Sequence, residues 1–248
     1  MKLAIISDIH EDIVNLKQTL HKIEKTGCDK IFCLGDISGF SVPHYRYFDT
    51  RNAHECLKLV KENCEVVILG NHDLQAARRI PEAHGDFRFP ENWYELDYRE
   101  RKALSQGKVW LYDHDELDPL YTRDDINYLK SLPEKSILEQ DSKRILFTHY
   151  IIPNISGAYQ KFYHTAADYT EHFRYMREQD CAYSFAGHAH SSGLYITNEM
   201  RTRQKGFNKK VIPDTPVNVI VPSVAGNQIG HGFCIFDTVE GWVKAVRV

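Results

Sequence analysis

No stretch of this sequence is apolar for long enough to span a bilayer, and none of its six cysteines, at 28, 33, 56, 64, 181 and 234, forms a C-x-x-C pair. The first absence argues against a membrane-spanning helix, which needs about 20 consecutive apolar residues. The second argues against a thiolate metal site or a disulfide framework. Thiols set inside apolar strand and helix patterns read as buried and free, in a reducing cytosol. An excess of positive charge is also missing. With 31 Lys and Arg against 34 Asp and Glu the formal net charge is −3, so no basic surface points to nucleic acid or an anionic membrane as a partner. The cluster RTRQKGFNKK at 201–210 reads as a solvated hairpin tip. Repeats, low-complexity tracts and Pro/Gly/Ser-rich linkers are absent, and the chain starts on a strand pattern with no basic, apolar, cleavable leader. The expectation is a cytoplasmic protein.

What is present is an ordinary globular composition, 42% hydrophobic and 26% charged over 248 residues. That length suits one large domain, or a domain with a cap. Leu16, Leu20 and Ile23 fall at helical spacing in 13–26, which stops at Gly27. Asn52, with Glu55 three residues on, opens a second helix bearing Leu57 and Val60. With strands before, between and after them, these make a βαβαβ start and a parallel sheet, hence an α/β class. Residues 75–143 differ, being aromatic and charged, with helices expected at 91–105 and 123–132; they read as a cap-like insertion in a single domain, 1–248. A helix at 159–178, opened by Thr165 and Asp168, precedes strands at 181–186, 193–197, 217–222, 232–237 and 242–247. The tail therefore closes a second, mainly β sheet.

The informative feature is a construction that repeats. VVILGNHD at 66–73 is hydrocarbon that ends abruptly in an amide, an imidazole and a carboxylate. KLAIISDIH at 2–10, IFCLGD at 31–36, RILFTH at 144–149 and AYSFAGHAH at 182–190 do the same. Each one alone has a plain explanation as a turn or a helix cap. Together they deliver Asp8, His10, Asp36, Asn71, His149, His188 and His190 at the carboxyl ends of apolar strands, where ligands bind in open α/β sheets. Oxygen and imidazole donors without a thiolate suit Mn first, with Fe, Zn, Co or Ni as alternatives. Seven donors are too many for one ion and suit two divalent ions, with Asp36 as the natural bridge. Two ions roughly 3.5–4 Å apart can clamp a phosphoryl oxygen and activate a bridging water for attack on phosphorus.

The ordered set D-x-H (Asp8, His10), G-D (Gly35, Asp36), G-N-H-D (Gly70–Asp73), a lone strand-end His149 and G-H-x-H (Gly187–His190) resembles the calcineurin-like metallophosphoesterases. LGDISGF, the segment VPHYRYFDTRNAHECLKLVKENCEVVILGNHD and the late VPSVAGNQIGHGFCIFD are similar to the small prokaryotic phosphodiesterase branch. The resemblance implies a four-layer αββα sandwich of two mixed sheets with flanking helices. It implies one metal on Asp8, His10, Asp36 and His190, and another on Asp36, Asn71, His149 and His188. His72 would protonate the leaving group, paired with Asp36 or Asp73.

The phosphatase branch carries G-D-x-x-D-R-G, and here GDISGF lacks that arginine. Monoesters usually recruit a guanidinium. Gly39-Phe40 in its place offers close backbone approach and an aromatic face, so Phe40 is expected at the substrate, with Arg78 and Arg79 as arginines that would swing in from the insertion. His114, in the acidic run DHDELD at 113–118, reads as solvated loop. The leading function is hydrolysis of a small phosphodiester or nucleotide. Alternatives are a phosphomonoesterase, a dinucleoside polyphosphate hydrolase, and a catalytically silent binding scaffold of the same fold.

Overall fold

Strand β1 (Lys2–Ile6) alternates between two environments: Ala4 and Ile6 enter one hydrophobic cluster, Leu3 and Ile5 another. That is the period of two expected of a strand buried on both faces, and it divides the molecule into layers. The structure, a computed structural model, describes residues 1–83, 85–226 and 230–248. Part of the VPSVAGNQIGHGFCIFD motif, 227–229, lies outside the described residues.

After β1 the chain forms α1 (Ile13–Glu24), β2 (Lys30–Cys33), β3 (Phe40–Ser41), α2 (Ala53–Asn63), β4 (Val66–Val67), α3 (Asn71–Ala77), α4 (Tyr98–Ser105), β5 (Glu116–Leu117) and α5 (Arg123–Ser131). It continues with β6 (Lys135–Gln140), β7 (Lys143–Thr148), α6 (Thr170–Glu178), β8 (Tyr183–Ala186), β9 (Leu194–Thr197), β10 (Thr202–Lys205), β11 (Val217–Ile220), β12 (Gly232–Asp237) and β13 (Val243–Arg247). A five-stranded sheet has the order β13-β12-β1-β2-β4, a six-stranded one the order β10-β9-β11-β8-β7-β6, and β3 pairs with β5. Both large sheets are mixed: β1 runs parallel to β2 but antiparallel to β12, and β8 runs parallel to β7 and β11 while β9 opposes β11.

The layer between the sheets holds Leu3, Ile5 and Phe32 from the first and Phe147, Phe185 and Val219 from the second. Phe32 and Phe147 meet there with ring centroids 4.7 Å apart. Outside the first sheet lie the apolar stripes of α1 (Leu16, Leu20, Ile23) and α2 (Cys56, Leu57, Val60); outside the second, Phe173 and Met176 of α6 pack on Leu146 and Ala186. Each fully buried aliphatic or aromatic side chain contributes ~1.5–3 kcal/mol, so these three layers supply the driving force for the sandwich. Local signals set the helix starts: Asp12 accepts from Asn15 N at 3.0 Å, and Asn52 from Glu55 N at 3.0 Å.

Several elements differ from the sequence expectation. The strand at 66–69 keeps ladder pairing only at Val66–Val67. The polar residues after it open α3, where the Asp73 carboxylate accepts the Gly70 N–H at 3.1 Å. Helix α4 starts only at Tyr98, where Asp97 and Glu100 form a capping box, and the 91–97 stretch before it is turn. Residues 159–165 are not helical; Thr165 caps a short 3-10 turn, Ala166–Tyr169, that leads into α6. Residues 135–140, expected within the insertion, are β6 and complete the second sheet against β7. The basic run at 201–210 contributes an edge strand, β10, rather than only a hairpin tip. All six thiols are free. Among the described residues no helix is long and apolar enough to cross a membrane.

Candidate metal centre

Backbone conformation at the strand ends is the first unusual feature. Asp8, His10, Asp36, His188 and His190 have φ of 56°, 48°, 51°, 65° and 45°, all left-handed. Non-glycine residues adopt this region rarely, and such residues cluster at functional sites. The reason is local. Ile9 N and His10 N both donate to Asp36 O, at 2.7 and 2.9 Å, so the loops after β1 and β2 are cross-tied and curl together. Gly70 permits the loop before α3 to join them, because a Cβ there would stand 2.1 Å from Asp36 Oδ1.

The donors converge. Ligand-type atoms of Asp8, His10 and His190 lie within 4.8 Å of one another, as do those of Asp36, His149 and His188, and of His10, Asp36 and His72. One oxygen links the groups: Asp36 Oδ2 is 3.0 Å from His149 Nε2 and 3.9 Å from both His10 Nε2 and His72 Nε2. The other, Oδ1, accepts the His72 backbone N–H at 3.0 Å. Asp8 Oδ1 is 3.5 Å from His190 Nε2 and 4.0 Å from His149 Nε2. Carbonyl groups orient the imidazoles from behind: Gly39 O meets His10 Nδ1 at 3.0 Å and Leu34 O meets His149 Nδ1 at 2.7 Å. In both rings Nε2 is left for the centre.

Asn71 is fixed from the side, since its Nδ2 donates to the Tyr112 hydroxyl at 2.7 Å, which leaves Oδ1 as the inward atom. That Oδ1, together with Nε2 of His188, is buried with no hydrogen-bond partner, and Nε2 of His149 has only the Asp36 carboxylate beside it. Buried polar atoms are seldom left so, and divalent cations fit as their missing partners. The donor set, two carboxylates, four imidazoles and an amide oxygen, fits the same ions.

The electrostatics agree. Burial alone would raise the Asp8 and Asp36 carboxyls, but imidazoles outweigh it, His190 and His149 at Asp8 and His149 and His72 at Asp36, and hold both well below the usual carboxylate range. Burial, with neighbouring imidazoles, pushes His10 and His188 down to about 3, so both are neutral and ready to ligate. Burial also lowers His149, yet Asp36 overrides it and raises this imidazole to about 9. A cation shared with Asp36 would displace that proton.

His72 stands apart. Its Nδ1 is 2.5 Å from Glu116 Oε1, and the ring packs on Tyr112 at 4.7 Å. Burial alone would lower it, but the Glu116 and Asp36 carboxylates raise it to about 10. The nearest carboxylate is therefore Glu116, with Asp36 at 3.9 Å on the Nε2 side; Asp73 is spent on the backbone N–H groups of Ile37, Ser38 and Gly70. Glu116 arrives through the β3–β5 pairing, in which Ser41 opposes Glu116. No sequence signal marked it, because it lies in the acidic run read as solvated loop. Within that run His114 is exposed, against Tyr98.

A cavity of about 990 Å³ opens over the centre, and His10, Asp36, Asn71, His72, His188 and His190 form part of its wall with Tyr45, Tyr47, Trp110, Tyr112 and Phe162. The three residues expected at the substrate are not there. Phe40 is fully buried among Tyr45, Tyr47 and Ala225, because pairing with Leu117 turns it inward. Arg79 donates to Leu132 O at 2.5 Å and pairs with Glu82 and Glu134, which ties it to the segment before β6. Arg78 is the exposed, left-handed cap of α3, and neither arginine lines the cavity.

Comparison with known proteins places the fold and the family. A metallophosphoesterase of Sphaerobacter thermophilus is similar over 100% of this chain and 88% of its own, with a TM-score of 0.67 and 20% identity. A hypothetical protein of Pyrococcus horikoshii OT3 covers 100% and 87%, with a TM-score of 0.60 and 16% identity. Both are likenesses of fold. An uncharacterized protein of Methanocaldococcus jannaschii is 40% identical over 72 residues, 29% of this chain and 26% of that protein, so the match spans about a quarter of the curated relative. The calcineurin-like phosphoesterase family matches residues 1–192. With its two mixed sheets and clustered Asp and His side chains, the chain belongs to that family.

Proposed function

We propose that the protein is a metal-dependent phosphoesterase that hydrolyses a small phosphodiester or nucleotide. One observation carries this reading: Asp8, His10, Asp36, Asn71, His149 and His188, all buried, meet the half-buried His190 and a carboxylate-held imidazole beneath a single cavity. Two divalent cations, Mn first, would be held by Asp8, His10, Asp36 and His190 and by Asp36, Asn71, His149 and His188, and when bound would supply Lewis-acid activation of phosphoryl and water.

The chain's own residues do the rest. His72 faces the centre with Nε2 and the Glu116 carboxylate with Nδ1, so it holds a proton at Nε2 for the departing oxygen. Glu116 keeps that imidazole protonated and oriented, as a carboxylate behind a catalytic histidine does. Gly39, at φ +95°, lets the backbone pass beside the ring; a Cβ there would meet His72 Nδ1 at 2.3 Å. The aromatic wall supports a diester or nucleotide over a compact monoester dianion; Arg78 and Arg79 are absent from the cavity, and Arg46, which lines it, spends Nη1 on the backbone carbonyls of Val42 and Tyr45. The insertion, expected at about 75–143, supplies Trp110, Leu111, Tyr112 and Glu116 to the wall and so acts as a partial cover.

The test begins with metal content. Elemental analysis of wild type should find two divalent ions per chain, and chelation should abolish hydrolysis of bis-nitrophenyl phosphate without unfolding the large core. Asp36→Asn should lower both metal content and activity more than any other single ligand change. Full activity in Asp36→Asn, or activity indifferent to chelator, would refute the site.

A further inference from the structure

The cavity wall carries two aromatic rings against metal-site imidazoles, and they differ. Tyr45 packs on His10 at 5.1 Å and is 7% exposed, so its face is closed. Phe162 lies nearly parallel to His188, 19° and 5.3 Å between ring centroids, yet is 43% exposed. A candidate ligand imidazole thus lies along the ring, and His164 is offset from it at 6.4 Å and 27°, yet Phe162 remains part-exposed at the wall of the cavity. Beside it stands Trp110, with ring centroids 6.3 Å apart. Its indole Nε1 is buried without a hydrogen-bond partner, although buried indole N–H groups usually find an acceptor.

The two rings are held in relation. Trp110 N donates to Ala158 O at 3.1 Å, Gln160 N donates to Lys108 O at 2.9 Å, and Val109 bridges Tyr159 in an antiparallel pair. The insertion and the segment after β7 thus form a short ribbon that carries both Trp110 and Phe162. A part-exposed aromatic ring and an unpaired donor on neighbouring rings of the cavity wall, one imidazole away from the metal centre, ask for a flat ring that bears acceptors and sits close to phosphorus. A nucleobase has that form. An alkyl or lipid ester would cover the ring but leave the indole N–H unpaired.

We propose that Phe162 and Trp110 form a base-binding subsite, so that the preferred substrate is a nucleotide phosphodiester whose base stacks on Phe162 and accepts a hydrogen bond from Trp110 Nε1. This deepens the phosphodiesterase reading and rests on it. In the reaction water adds to phosphorus and the P–O bond to the leaving alcohol breaks. The nucleoside monophosphate stays on the aromatic side until it is released.

Two esters with the same nitrophenolate leaving group isolate the subsite: adenosine 5′-(p-nitrophenyl) phosphate and methyl p-nitrophenyl phosphate. Wild type should prefer the adenosine ester by about 10–100-fold in kcat/KM, the worth of one base stacked on an aromatic side chain. Phe162→Ala should bring that ratio close to one, Phe162→Tyr should retain it, and Trp110→Phe should reduce it about fivefold, as loss of one hydrogen bond does. A wild-type ratio near one, or a ratio unchanged in Phe162→Ala, overturns the proposal. Failure to hydrolyse either ester would instead refute the phosphoesterase reading. Calorimetric titration with adenosine monophosphate then decides the subsite on its own: binding weakened tenfold or more in Phe162→Ala but kept in Phe162→Tyr supports it, and equal binding in all three overturns it.

Discussion

Glu116→Gln removes one negative charge 2.5 Å from His72 Nδ1 and keeps the side chain's size. Both partners are mostly buried, at 16% and 11% exposure, so solvent screens the pair little. His72 is held at about 10 against an ordinary 6.5, a difference worth about 5 kcal/mol at 1.36 kcal/mol per pKa unit, and Glu116 is its leading carboxylate. A raised imidazole stays protonated, and able to act as an acid, until pH climbs through the raised value. With the charge gone, burial is opposed only by Asp36 and Asp73, and the proton leaves at lower pH. The alkaline limb of the kcat profile should therefore move to lower pH by about two units or more. On a substrate with a poor leaving group kcat at pH 8 should fall by about 10²-fold, within the usual worth of a positioned acid. Cations, when bound, would lower the His72 value in both proteins, so the separation between the two profiles is the readout. Nitrophenolate needs little protonation, and its esters should lose far less. Superimposable pH profiles, or equal losses on both leaving groups, would refute Glu116 as the residue that holds the acid.

Further outcomes follow from neighbouring contacts. Tyr112→Phe deletes the acceptor of the Asn71 Nδ2 bond and frees that amide to turn, so metal affinity, measured by competition with a chelator, should weaken about 10–100-fold while the melting temperature changes little. Glu134 is fully buried, and burial raises its carboxyl to about 7. The folded state therefore binds more protons than the unfolded one between the ordinary 4.5 and about 7, and stability falls as pH rises through that window. Glu134→Gln should flatten this dependence by about 1–3 kcal/mol in denaturant titrations at pH 5 and pH 8; an unchanged slope would show that Arg79 already neutralises the group.

The donors of the candidate centre were legible because each follows hydrocarbon that could only be a buried strand, so the chemistry stood out at the strand's end. Their backbone was not: nothing in the residue types of Asp8 or His188 announces a left-handed φ, which arises from cross-ties between loops distant in sequence. The same limit hid Glu116 and misplaced Phe40. Both depend on the pairing of Phe40 with Leu117, a contact 77 residues apart that turns one side chain inward and the other toward His72. Arg79 looked free because the carbonyl that holds it, Leu132 O, belongs to the approach to β6, a strand that the charged pattern KSILEQ conceals. At 159–165 the polar spacing is compatible with helix, but the backbone joins the ribbon with 108–110 instead. Local rules succeeded where a capping residue settled the matter, as at Asn52 and Thr165.

Asp8, His10, Asp36 and Asn71 follow strands of one sheet, whereas His149, His188 and His190 follow strands of the other. Neither sheet owns a complete centre. The hydrocarbon between them, with Phe32 against Phe147 at its middle, therefore acts as a ruler that sets the spacing between the two halves of a reactive site. A slide of about 1 Å in that layer would be ordinary repacking elsewhere, but here it displaces three imidazoles relative to two carboxylates, and misplacement on that scale can cost about 10²-fold in rate. Trimming a core ring such as Phe147 to Leu should accordingly cost turnover well before it costs the fold, which makes this oily interior a remote control on the chemistry at its edge.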